Sequence, residues 1–341
     1  MPGLLLDTLN GKRADKVPLW LMRQAGRYLP EYRALRAEKG GFLAMAYDSE
    51  AACEITLQPI DRFGFDGAIL FSDILIVPHA MGQHLEFLAG EGPKLSPPLV
   101  DAALEGLAAD HSRYDPIYQT VRLCRQRLPE GVTMLGFAGS PWTVATYMVA
   151  GEGSRDQHDA RALAYRDPGK LQAIIDAIVG ETVEYLSGQI EAGAEAVQLF
   201  DSWAGSLAPD EFERWVIAPN AAIVAALAQR HPDTPVIGFP KGSGEKLPAY
   251  ARETGVKAVG VDETLDPLWV ARELPAGMAV QGNLDPLLLL SGSPALEGRI
   301  KAILEAFSDR PHVFNLGHGI DRRTPIENVE RLIATVRGWQ G

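Results

Sequence analysis

Short apolar runs alternate along this chain with helix-length amphipathic stretches. Runs rich in Val, Ile, Leu and Phe fall at 17–21, 66–71, 133–137, 196–200, 235–239, 258–261, 278–281 and 312–316, and each reads as a strand. Between them, 50–63, 171–192, 209–229 and 297–307 read as helices, and 325–339 closes the chain. Leu171, Ile174, Ile175, Ile178 and Val179 follow the 3.6-residue period of a one-sided apolar stripe. Strands alternating with helices predict a parallel sheet with right-handed crossovers. Eight such units in one chain predict a closed (β/α)8 TIM-type barrel, a single domain over 1–341. No linker, repeat or low-complexity segment divides it. An open doubly wound sheet is the structural alternative.

The residues after each predicted strand bear on that choice. They read Met22-Arg23, Ser72-Asp73, Ala138-Gly139-Ser140, Asp201-Ser202, Pro240-Lys241, Asp262, Gly282-Asn283 and Gly317-His318. In such a barrel the chemistry collects at the C-terminal ends of the strands. The fold would thus bring Arg23, Asp73, Ser202 and His318 to one rim. Ordinary turn chemistry explains each of these positions singly.

Composition narrows the class. Apolar content of 46% and charged content of 22% are those of a globular protein. The net charge of −12 argues against nucleic acid and anionic membrane surfaces as partners. No apolar run is long enough to span a bilayer. Leu4-Leu5-Leu6 is too short for a signal-peptide core, so the expected location is cytoplasmic. Cys53 and Cys124 are 71 positions apart, which fits neither a disulfide framework nor a metal motif, and both read as buried reduced thiols.

Against the acidic whole stands one basic segment. From Lys12 to Lys39 there are eight Lys/Arg and three Asp/Glu, a local +5. Arg23, Arg27 and Arg33 fall within eleven positions of it, directly after the first predicted strand. Guanidinium presents a planar fork that matches carboxylate or phosphate bidentately. Gly26 would allow close backbone approach or positive φ. A cationic patch on an acidic protein points to a polyanionic small molecule, while a solvated basic helix face is the plainer alternative.

The order of these residues carries more than their charge. Pro18-Leu19-Trp20-Leu21-Met22-Arg23-Gln24-Ala25-Gly26-Arg27 closely resembles the first signature of the uroporphyrinogen decarboxylases of haem biosynthesis. The block from Gly136 to Met148, Gly-Phe-Ala-Gly-Ser-Pro-Trp-Thr-Val-Ala-Thr-Tyr-Met, resembles that family's other signature. Phe71-Ser72-Asp73, Gln281-Gly282-Asn283-Leu284-Asp285-Pro286 and Asn315-Leu316-Gly317-His318-Gly319 match in family order, from about 17 to 320.

The resemblance implies decarboxylation of the four acetate side chains of uroporphyrinogen to methyls, giving coproporphyrinogen. It implies no cofactor and no metal. Protonating the pyrrole makes an electron sink within the substrate, CO2 leaves, and a proton is added to the resulting methylene. The site must then hold carboxylates with cations and stabilise a positive ring with an anion. The resemblance assigns carboxylate binding to Arg23, Gln24, Ala25, Gly26 and Arg27, with Arg36 as a further candidate. Asp73 would collect pyrrole N–H groups and face the developing positive charge; a helix N-cap is its other reading. Tyr147 would donate to a carboxylate or orient Asp73. Ser202 would bind a carboxylate, and a half-protonated His318 would bind a propionate or pass a proton. Their plainer readings are a core tyrosine, a cap and a structural histidine. Trp142 and Phe137 are candidates for ring packing or for core. Arg23, His318, Tyr147 and water all stay open as the proton donor. The resemblance also implies a homodimer with facing clefts.

Two positions depart from the common family pattern: Asp262-Glu263 stands where Asp-Trp is usual, and Pro240-Lys241-Gly242 where Ala-Lys-Gly is usual. Related zinc methyltransferases share the barrel and need a His-x-Cys pair; here Ala51 and Arg122 stand two before the cysteines. A non-catalytic tetrapyrrole carrier is the alternative from another class. The polar stretch 151–169, with Arg155, Arg161 and Arg166, reads as a lid or a surface excursion.

Overall fold

The computed structural model describes residues 3–88 and 92–340; of the span 1–341, residues 1, 2, 89–91 and 341 lie outside the described residues. Its strands are β1 (Gly67–Ile69), β2 (His84–Leu88), β3 (Gly92–Ser96), β4 (Thr133–Gly139), β5 (Ala196–Asp201), β6 (Val236–Pro240), β7 (Ala258–Gly260), β8 (Ala279–Gln281) and β9 (His312–Val313). Seven of them form one all-parallel sheet in the order β1-β4-β5-β6-β7-β8-β9. Apart from the partly buried Phe200 on β5, all seven are buried along their length, as expected of parallel strands between helices.

The first predicted strand, 17–21, is the one that does not form as a strand. It makes a single parallel bridge, Leu19 to Phe314. Its donors are diverted. Pro18 has no N–H, the Leu19 N–H goes to the Asp66 carboxylate (2.7 Å), and the Leu21 N–H goes to the Gln24 side chain (3.1 Å). The segment still lies between β9 and β1. Phe314 N donates to Pro18 O (2.8 Å) and Asp66 N donates to Leu19 O (2.9 Å). It therefore fills the eighth place and joins the two edges of the curled sheet. The fold is TIM-type, with seven regular strands and one irregular closing segment.

Helices cover the outside. Ser49–Phe63, Pro168–Ala192, Leu296–Ala306 and Ile326–Arg337 agree with the amphipathic periodicity to within a few residues. The stretch 209–229 does not run as one regular helix. It is Pro209–Phe212, a wide π turn over Glu213–Ile217, and Ala218–Arg230. Pro219 lacks the N–H that would close the ordinary ladder there. The antiparallel β2–β3 hairpin was not apparent in the sequence pattern. Cys53 and Cys124 are buried free thiols that face each other between Ser49–Phe63 and Asp115–Arg127.

A chain of buried amides crosses the inside of the sheet. Trp20 Nε1 donates to Gln281 Oε1 (2.9 Å), and Gln281 Nε2 donates to Gln198 Oε1 (3.0 Å). β5 and β8 are not neighbours, so these side chains meet across the barrel interior. Each is fully buried, and the partner it finds offsets the cost of burying an amide.

Candidate active site

Arg23 follows the closing segment in an unusual conformation. Its φ is +61°, a left-handed value rare for a side-chain-bearing residue. The sequence reading allowed positive φ at Gly26, but the turn takes it at Arg23. The surroundings enforce it. Asn315 Oδ1 accepts from Met22 N (2.9 Å), Gln24 N donates to Leu21 O (3.0 Å), and Ile320 N donates to Met22 O (2.9 Å). Held strain of this kind needs such over-determination.

Gln24 is turned inward. Its side chain is fully buried, accepts from Leu21 N and donates to Gly67 O (2.9 Å). With no exposed surface, it builds the loop and presents nothing to solvent or to a ligand in the cleft. Arg23 and Arg27 are exposed and Arg36 is half-buried. Among the described residues, none of these three guanidinium groups makes a hydrogen bond or ion pair within the chain. Arg33 is used internally, donating to the backbone carbonyls of Arg27 and Tyr28. Ala25 and Gly26 contribute half-exposed backbone between the two free arginines.

Asp73 stands in the loop after β1. One oxygen accepts from Leu75 N at 2.9 Å, a local turn bond, so it is not a helix cap in the ordinary sense. The surrounding protein pushes its carboxyl up to about 6; the Leu75 bond and the Arg23 charge pull the other way. Part of its surface stays open, as for an acid at the floor of a cleft.

Tyr147 lies on Pro141–Ala150. Burial and the Asp73 charge raise its phenol, while Trp203 and the Arg23 charge lower it. Both charges are thus near enough to act on it. Burial, Arg23 and Lys241 together push His318 down to about 3, with Asp262 opposing. The imidazole is neutral near pH 7, not half-protonated as the sequence reading had it. Its ring lies over Phe239, with centroids 6.4 Å apart. Ser202, just after β5, is half-exposed, and its hydroxyl makes no hydrogen bond among the described residues.

The fold thus gathers Arg23, Asp73, Tyr147 and His318 into one electrostatic neighbourhood, with Arg23 at its centre. Trp142 is fully buried and donates to Trp203 O (3.2 Å), so it belongs to the core. Phe137 packs edge-on against Phe200. Two residues that the motifs left without a role join the neighbourhood. Lys241 bears on His318, and its ammonium makes no bond among the described residues. Trp203 bears on Tyr147. Position directly after a strand was the available signal for Lys241. Glu263, in place of the usual aromatic, has a buried carboxylate oxygen without a partner and lies against Gly317.

Of the segment 151–169, Gly153 packs against the Tyr147 ring, and His158–Arg166 forms a helix that packs on Pro168–Ala192. Arg161 is spent on the Asp156 carbonyl.

The family model described as uroporphyrinogen decarboxylase (URO-D) matches residues 2–339. A protein of that name from Novosphingobium aromaticivorans is 74% identical, over 99% of each chain. One from Erythrobacter litoralis is 73% identical over the full length of both. Among solved structures, a methyltransferase from Methanosarcina mazei superposes with a TM-score of 0.82 over 97% of this chain and 96% of that one, at 20% identity, a likeness of fold. Matched by that family model over residues 2–339 and 74% identical to a protein of that name over 99% of each chain, the chain belongs to the uroporphyrinogen decarboxylase family.

Proposed function

We propose that this protein decarboxylates the four acetates of uroporphyrinogen III to methyls, releasing coproporphyrinogen III and CO2 without a cofactor. The observation that carries the reading is Asp73. It is a half-buried carboxylate whose pKa the surrounding protein raises to about 6, acted on by the charge of Arg23, a guanidinium that makes no hydrogen bond or ion pair among the described residues. A substrate with eight carboxylates and four pyrrole N–H groups supplies what both sides lack.

Arg23, Arg27, Arg36 and Lys241 take the peripheral carboxylates, and Gly26 and Ala25 let the macrocycle approach the loop. Asp73 accepts from the pyrrole N–H groups and stabilises the ring as it becomes cationic. A preorganised charge in such a site contributes about 3–4 kcal/mol to the transition state. As CO2 leaves, its bonding pair forms an exocyclic double bond that discharges the protonated ring; a proton then adds to that methylene carbon, and loss of the proton first placed on the ring restores the pyrrole, for one net proton taken up. Tyr147 donates to a carboxylate beside Asp73, and Ser202 and the neutral His318 hold carboxylates on the far side of the cleft. Water or a group of this set delivers the proton; guanidinium, with its very high pKa, is the least suited. The chain works as one domain, pairs into a homodimer with facing clefts, and is cytoplasmic.

Anaerobic incubation with freshly reduced uroporphyrinogen in chelator, followed by chromatography of the oxidised products, tests the reading. Porphyrins with seven, six, five and then four carboxylates are expected. Folded protein that binds substrate without turnover would instead make it a carrier.

A further inference from the structure

The basic segment that stands out in the sequence does not all go to the cleft. The closing segment 17–21 runs parallel to β9, so the chain leaves it for Arg23 at the rim and enters it from Lys16 at the opposite face of the barrel. Five extended residues, roughly 16 Å of chain, separate the two ends. At that opposite face lies a cavity of about 410 Å³, the size of a small-molecule site. It is bounded by the loop before the closing segment, the ends of the Leu296–Ala306 and Ile326–Arg337 helices, and the start of β9.

Its walls are basic on a chain of net charge −12. Arg13, Lys16, Arg310 and Arg337 line it, against one acid, Asp15. Arg337 is neutralised by Asp66 at 2.8 Å. Arg13, Lys16 and Arg310 make no ion pair among the described residues, which leaves three cations for one carboxylate. Arg310 is only 8% exposed, and its guanidinium donates to backbone carbonyls alone: Nη1 to Val270 O (3.3 Å) and Ala271 O (3.4 Å), Nη2 to Pro275 O (2.7 Å). Its Nε has no partner among the described residues. Carbonyl dipoles fix the group's direction without cancelling its charge. A buried cation without a counter-ion is costly, and an anion in the cavity relieves that cost. His312, also buried, gives its Nε2 proton to Gly282 O at 2.9 Å, because a carbonyl only accepts. Its Nδ1 is then an acceptor without a partner among the described residues. Phe307 and Trp339 make an apolar side opposite these polar groups.

We propose that this cavity binds a small organic oxyanion, its phosphate or carboxylate held by Arg13, Lys16 and Arg310 and its apolar body set against Phe307 and Trp339. The site lies on the face of the barrel away from Asp73, so its occupant is not the molecule that reacts in the cleft. Nothing in it depends on the decarboxylase reading.

Phenyl phosphate and benzoate, titrated calorimetrically into the whole protein at fixed ionic strength, are the probes, with inorganic phosphate beside them. Saturable binding of at least one organic probe at a single site is expected. Tighter phenyl phosphate identifies a phosphate ester as the ligand class, and tighter benzoate a carboxylate; either upholds the site. Inorganic phosphate, which has no apolar body, should bind at least fivefold more weakly than the better probe. Arg13→Gln combined with Lys16→Gln changes two exposed side chains outside the cleft. That variant should fold, keep wild-type turnover, and bind the better probe about tenfold more weakly, the scale of two partly exposed charge contacts. Arg27→Ala, in the cleft, should leave the probe's Kd unchanged. The probe should also alter the fluorescence of wild type, and that change should be absent from Trp339→Phe. No saturable binding, inorganic phosphate as tight as either probe, a Kd indifferent to the Arg13 and Lys16 changes, or binding lost in Arg27→Ala would overturn the proposal.

Discussion

Gly319 passes so close beneath Arg23 that a Cβ on it would overlap Arg23 Cδ. The atoms in the way belong to a flexible side chain, so alanine at 319 should displace the guanidinium and leave the backbone standing. The expected outcome for Gly319→Ala is a thermal midpoint near wild type and a kcat/KM reduced by about one to two orders of magnitude, as for a misplaced positioning group. Steady-state kinetics beside a melting curve checks this. Wild-type kinetics would show that Arg23 need not occupy its observed place.

Asp73 sets the second expectation. Its carboxyl is held up near 6, and the proposed role needs the ionised form. Below that value the free enzyme carries a neutral acid there, and above it an anion. Its kcat/KM should therefore rise as pH passes upward through about 6 and level off beyond it. Asp73→Asn should lower kcat by roughly 10²–10³ and remove this limb. Because burial disfavours the charge, the same variant should melt no lower than wild type at pH 7. A pH profile of initial rates, with wild type and Asp73→Asn compared, tests both halves; an unaltered limb in the variant would remove Asp73 from the chemistry.

Asp201 sets an expectation for stability alone. Burial pushes its carboxyl to about 7 from an ordinary value of 3.8. Between those values the folded chain holds a proton that the unfolded chain has released. Stability contributed by this group is therefore present at low pH and is lost as pH rises through about 7, by about 1.4 kcal/mol per unit. Asp201→Asn carries no such charge. Its melting temperature should gain on wild type steadily from roughly pH 4 to 7 and keep a constant lead above that. A lead independent of pH would mean that Asp201 titrates normally.

The motifs singled out Arg23, Asp73, Tyr147 and His318, each in a distinctive local sequence, and the fold brings these four into one electrostatic neighbourhood. Position after a strand made the rim legible. Three features were not. Residues 17–21 have a strand's composition, but Asp66 and Gln24, whose side chains take its donors, are seen as partners only in three dimensions. The neutral state of His318 depends on Arg23 and Lys241, both remote in sequence. Gln24 sits inside the most recognisable motif of the chain, yet the fold turns it away from the cleft. Short-range pattern reports which element a residue joins; long-range bonding decides which way its side chain faces and how it is charged.

Gln24 gives the last expectation. Its amide bonds Leu21 N on one side and Gly67 O on the other, so it ties the arginine loop to β1. Both partners are buried, and alanine would leave both unpaired. Each orphaned group costs about 1–3 kcal/mol. Gln24→Ala should therefore lower the unfolding free energy by several kcal/mol, whereas Arg27→Ala, which removes an exposed side chain without partners in the chain, should leave it within about 0.5 kcal/mol of wild type. The kinetic effects should not follow the same order. Arg27→Ala should raise KM by weakening its hold on a carboxylate. Gln24→Ala should reduce kcat as well, because the Arg23 backbone, held at positive φ by this same turn, can relax. Denaturant melts and steady-state kinetics on the two variants separate these effects. A Gln24→Ala protein as stable as wild type, with a raised KM only, would return Gln24 to the substrate's side of the loop.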